Sequence, residues 1–93
     1  MWAPVDFEWD DAKACANETK HAVRFEYAAR VFEDPARLDI DTTRPVDGEA
    51  RRKCVGMIDS RIFTVVYVLR GEICRLISAR RANSKEGRTY GHG

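Results

Sequence analysis

The sequence predicts an α+β fold: a short N-terminal strand, two helices, a twisted antiparallel sheet of three to four strands, and a short C-terminal helix. Three observations predict it. Apolar residues recur at helical spacing between Asp10 and Glu33, whereas the segments after Leu38 alternate apolar and polar residues or run continuously apolar. The chain has 93 residues, 44% of them hydrophobic, which suits one domain spanning 1–93, ordered over about 5–90, and leaves no room for two. Helices first and strands after is the order of an α+β layer, with the helices gathered on one face of the sheet.

Each element follows from its local pattern. Val5-Asp6-Phe7-Glu8-Trp9 alternates apolar and acidic residues, the period of a short strand. Asp10 or Asp11 then supplies a carboxylate that can accept free backbone N–H groups, an N-cap for a helix reaching His21. Its inner stripe reads as Ala12, Cys15 or Ala16, and Thr19. A second helix from Arg24 to Glu33 places Phe25, Ala28, Val31 and Phe32 on one face. Asp34-Pro35 ends it, because the residue before proline is driven out of helical geometry.

Leu38-Asp39-Ile40-Asp41 alternates as a strand, and Thr43 to Gly48 is a loop by its proline and glycine. Arg52 to Ile58 alternates loosely. Ile62 to Leu69 is rich in branched and aromatic residues, and its near-continuous apolarity predicts a central strand. Arg70-Gly71-Glu72 is a turn, and Ile73 to Arg80 returns as the hairpin partner. Strict alternation along it groups Arg75, Ile77, Ala79 and Arg81 on one face and Cys74, Leu76, Ser78 and Arg80 on the other. Asn83 or Ser84 caps a terminal helix reaching Tyr90. Trp9 and Tyr67 read as core residues, and Trp2, ahead of every element, as a partner contact.

Composition narrows the function classes. No apolar run approaches the ~18 residues of a membrane span, and the N-terminus lacks the basic start and apolar stretch of a signal peptide, so a soluble, cytoplasmic protein is expected. Three cysteines at wide spacing (Cys15, Cys54, Cys74) make neither a disulfide framework nor a zinc site, and no metal or other cofactor is expected. Charge is unevenly spread. Residues 1–47 hold 6 Lys/Arg against 11 Asp/Glu, net −5, and residues 48–93 hold 10 against 4, net +6. Twelve of the 16 basic residues are arginine, whose planar fork suits phosphate. The C-terminal half is thus cast as the meeting place for a polyanion or an acidic partner.

Specific words then point to a family. Phe7-Glu8-Trp9-Asp10, Asn17 to Phe25 with Lys20-His21 inside it, Ala28 to Phe32, Asp34-Pro35, Val65-Val66-Tyr67 and Ile77-Ser78-Ala79-Arg80-Arg81-Ala82 occur in this order. Over about residues 6–90 the chain resembles BrnT, the ribonuclease toxin of type II toxin–antitoxin pairs. The resemblance implies a RelE-like fold, metal-independent cleavage of RNA that arrests translation, and neutralisation by a BrnA-type antitoxin. It also implies that the toxin–antitoxin complex binds operator DNA. Two positions depart from the family pattern: Ala22 stands where glycine is frequent, and Arg24 where a small capping residue is frequent. Alanine resists left-handed backbone and arginine caps poorly, so the turn after His21 is expected to differ.

Metal-free RNA cleavage sets three tasks: a base for the ribose 2′-hydroxyl, an acid for the leaving oxygen, and fixed cations for the phosphorane. His21 is the histidine in ordered sequence and suits either proton task. Lys20 beside it has a charge that would favour the neutral, proton-accepting form. Arg80 and Arg81 are candidate catalytic cations, of which alternation lets one at most face any given side. Arg61 and Arg75 are candidate phosphate ligands, and Tyr90 a candidate proton donor or base-stacking platform. Glu26 could orient the imidazole. The competing reading is a non-catalytic arginine-rich module that docks an acidic protein or a nucleic-acid backbone.

Overall fold

The computed structural model describes residues 4, 6–46 and 48–92; the expected strand start at Val5 and the Trp2 contact lie outside them. The elements run β1 (Asp6–Glu8), α1 (Asp11–His21), α2 (Phe25–Ala28) continued by a 3₁₀ segment (Ala29–Glu33), β2 (Leu38–Asp41), β3 (Arg51–Ile58), β4 (Arg61–Arg70), β5 (Ile73–Arg81) and α3 (Ser84–His92). The α+β class stands. The sheet is corrected, from an antiparallel sheet of three to four strands to a mixed one of five, ordered β1-β5-β4-β3-β2. β1 joins it in parallel, Asp6 opposite Ile73 and Glu8 opposite Arg75. β5 ends the antiparallel series on one side, and its outer edge takes the N-terminal strand.

β4 is central, with β3 on one side and β5 on the other, as its apolar run demands. Cys54, Phe63, Val65, Tyr67, Cys74, Leu76 and Ala79 face the helices and form one core with Val23, Phe25, Ala28, Val31 and Phe32. Phe32 packs edge-on against Tyr67 at 5.0 Å, and Trp9 edge-on against Phe25 at 5.8 Å. Gly56 permits this layering, since a Cβ there would stand 2.9 Å from the Val31 carbonyl oxygen. α3 lies against the opposite face through the buried Glu86.

The stripe of α1 departs from expectation. Ala12, Cys15, Ala16 and Thr19 are exposed, and the inward residues are Ala14, Asn17 and His21. A polar residue wins because of what it meets. β1 covers β5 only as far as Arg75, leaving the strand's outer edge open beyond it. The Asn17 side-chain amide closes that edge: its Oδ1 accepts from the Ala79 N–H at 3.0 Å, and its Nδ2 donates to the Ala79 carbonyl at 2.8 Å. Nδ2 also donates to the Val23 carbonyl at 3.1 Å. One side chain thus satisfies backbone groups that an apolar residue would leave unpaired.

A bulge corrects the face assignment along β5. Val66 pairs with Ser78 but Tyr67 with Leu76, so Ile77 is skipped and the alternation inverts there. Cys74, Leu76, Ala79 and Arg81 share the helix side, while Arg75, Ser78 and Arg80 take the other.

Candidate active site

Asp10 caps α1, accepting from the Lys13 N–H at 3.0 Å, and the helix ends at His21. Ala22 follows with φ of 58° and donates its N–H to the Glu18 carbonyl. Despite its Cβ, Ala22 takes the left-handed C-cap, a conformation that is strained for alanine. Arg24 caps α2 with no side-chain hydrogen bond, as its chemistry dictates.

The turn delivers His21 to a concavity of about 320 Å³, lined also by Ala22, Val23, Tyr27, Arg61, Phe63 and Arg81. Arg61 starts β4 directly after a two-residue hairpin turn, Asp59 and Ser60 both at positive φ (49° and 70°), the geometry that matches strand twist. Phe63 sits opposite Arg81, whose guanidinium lies 5.7 Å from the Phe63 ring centroid. The Tyr27 ring meets Phe63 edge-on at 5.6 Å. Its hydroxyl donates to Asp59 at 2.8 Å, which raises the Tyr27 pKa and holds that of Asp59 down. Tyr27 is therefore a poor acid. Among the described residues neither Arg61 nor Arg81 takes part in an ion pair, which leaves both free for an anion.

The other sequence candidates lie elsewhere. Lys20 is exposed on α1 and lines a second concavity that also contains His21. Arg75 is on the opposite sheet face, 3.4 Å from Glu8. Arg80, on that same face, donates to both Glu86 oxygens, at 2.7 and 2.9 Å. Lys53 and Thr64 each donate to Glu86 at 2.9 Å, and so does the Asn83 N–H. Burial alone would raise the Glu86 pKa; these five donors outweigh it and hold the carboxyl far below its ordinary range. Asn83 and Glu86 also cap α3 reciprocally, the Asn83 side chain accepting from the Glu86 N–H at 2.8 Å.

Tyr90 donates to Asp34, and that carboxylate pushes its pKa up to about 12. The concavity beside it, about 340 Å³, carries Glu33, Asp34 and Asp59 against Arg30, the wrong balance for phosphate. Glu26 is exposed. Cys54 and Cys74 are buried with pKa values raised to about 12 by desolvation, which makes them core thiols rather than nucleophiles. Among the described residues no group of three or more His, Cys, Asp or Glu is placed to hold a metal ion. Among the described residues no helix is long and apolar enough to cross a membrane.

Sequence reasoning missed Tyr27 and Asn17. Tyr27 had no signal beyond its place in an amphipathic helix, and Asn17 was hidden by the assumption that a packed face is apolar.

The family description "Ribonuclease toxin, BrnT, of type II toxin–antitoxin system" matches residues 9–86, most of the chain. The chain belongs to the BrnT toxin family. No curated protein matches it. As a BrnT toxin it has ribonuclease activity, RNA for substrate and an antitoxin for partner. The matched segment spans α1, the whole sheet except β1, and the start of α3, so it includes His21, Arg61 and Arg81.

Proposed function

We propose that this BrnT toxin is a metal-independent endoribonuclease, one RelE-like domain over residues 1–93, acting in the cytoplasm to arrest translation. The observation that carries the reading is the meeting of His21, Arg61 and Arg81 in one open concavity. His21 takes the proton of the ribose 2′-hydroxyl. The 2′-oxygen bonds to phosphorus, the bond to the 5′-oxygen breaks, and a 2′,3′-cyclic phosphate is left. The departing 5′-oxygen draws its proton from the imidazolium or from water in the open cleft. Arg61 and Arg81 hold the non-bridging oxygens, where negative charge grows in the transition state, and their lack of carboxylate partners keeps their field available for it. Arg80, Arg75 and Tyr90 support the fold in this reading, because each already serves a carboxylate.

A BrnA-type antitoxin neutralises the toxin by covering this cationic mouth, and the complex binds operator DNA. The test is cleavage of total RNA in EDTA, with end-group analysis of the products. Cyclic phosphate ends formed by the wild type and lost in His21→Ala are expected. RNA left intact by folded protein, or cut only when a divalent ion is restored, would overturn the proposal.

A further inference from the structure

His21 is a wall between two concavities. On one side lies the Arg61–Arg81 cleft; on the other lies a groove of about 230 Å³ lined by Lys13, Ala16, Asn17, Lys20, His21, Ile77 and Ser78. Helix periodicity builds the second. Lys13, Asn17 and Lys20 follow one another at four- and three-residue steps, so both ammonium groups flank the asparagine that docks α1 onto β5. They stand two turns apart, about 10 Å along the axis. The floor comes from the β5 bulge, which turns the half-buried Ile77 toward the groove.

These lysines differ from the cations that serve a carboxylate. Arg52, Lys53, Arg70, Arg75 and Arg80 are each paired with a carboxylate. Among the described residues Lys13 and Lys20 have no ion pair. Two acids near them are occupied: Asp10 caps the helix and Glu18 lies 3.7 Å from Arg24.

The geometry points to one continuous track for single-stranded RNA, in which Lys13 and Lys20 bind backbone phosphate on one side of the cleaved link. Arg61 and Arg81 bind phosphate at the link and beyond, with His21 at the junction. The inference rests on the reading of His21 as the cleavage point, and it adds a phosphate subsite on α1 and a requirement for length. A dinucleotide can fill the cleft alone, whereas a longer strand must gain from the α1 groove as well.

The test measures binding of fluorescent 2′-O-methyl oligonucleotides, which lack the nucleophile and so are not cut. The full-length protein should bind an oligonucleotide of about six nucleotides more tightly than a dinucleotide. Lys13→Gln/Lys20→Gln should lose that advantage, and its log–log salt slope should fall by about 1.4, the release expected for two single-strand phosphate contacts. Lys13→Arg/Lys20→Arg should retain both, which ties the effect to charge. A Gln variant that matches wild-type affinity and salt slope at every length overturns the track. If instead Arg61→Gln/Arg81→Gln binds the dinucleotide as tightly as wild type, the cleft reading fails and not the α1 subsite alone.

Discussion

Two clusters of basic side chains, on opposite faces of one sheet, have opposite fates. On the helix side, Arg61 and Arg81 border a concavity with His21 and have no carboxylate partner among the described residues. On the other, Arg80 and Lys53 converge on Glu86, whose side chain is 4% exposed, in a network closed by Thr64 and Asn83. A buried carboxylate that has lost its water must be matched by donors, so these cations are committed to structure. The difference teaches that a cation's use depends on the acid beside it rather than on its abundance. Arg80 and Arg81 are neighbours in sequence and belong to different parts of the protein's work.

The widest separation should come from removing His21. His21→Ala is expected to lower RNA cleavage by about 100-fold or more, the range for loss of an acid–base group, with unchanged thermal melting. Glu86→Ala should do the reverse, costing about 3 kcal/mol in urea unfolding because Arg80 and Lys53 are left without their counter-charge. Exchanging the two arginines sharpens the contrast. Arg81→Ala should weaken cleavage and leave melting intact, while Arg80→Ala should lower the melting temperature; the opposite pattern would reverse the roles assigned to the faces.

Acid should lower stability through Glu86. Folding lowers the Glu86 pKa, so its stabilisation is complete above the unfolded value near 4.3 and is lost as pH falls toward the folded one. Wild-type unfolding free energy should therefore drop below about pH 4, and Glu86→Gln should flatten that drop. Asp34 adds in the same direction. Burial opposes its charge, but hydrogen bonds from Tyr90 and the Met57 and Ala36 N–H groups leave its pKa lowered. The smallest effect belongs to the turn behind His21. Ala22→Gly should stabilise the protein by up to about 1 kcal/mol by relieving the left-handed alanine, read as a higher urea midpoint.

Much of the fold could be read from local pattern. The Asp10 cap, the Phe25–Phe32 stripe, the central position of β4 and the Asn83 cap of α3 are consequences of short-range chemistry, and the structure contains all four. The stripe of α1 could not be read this way. Asn17 is buried because the β5 edge needs hydrogen bonds, and that edge exists only once the sheet has formed.

The sequence by itself determined which segments are helix and strand, the family to which the chain belongs, and the presence of an imidazole and an arginine surplus. Tertiary structure decided which cations stay free. Skipping Ile77 inverts every later side chain on β5, sending Arg81 to the concavity that His21 lines and Arg80 to Glu86. The pairing register across β4 sets that bulge, and the residues that fix it are distant in the chain, so no window of sequence around Arg80-Arg81 contains the information.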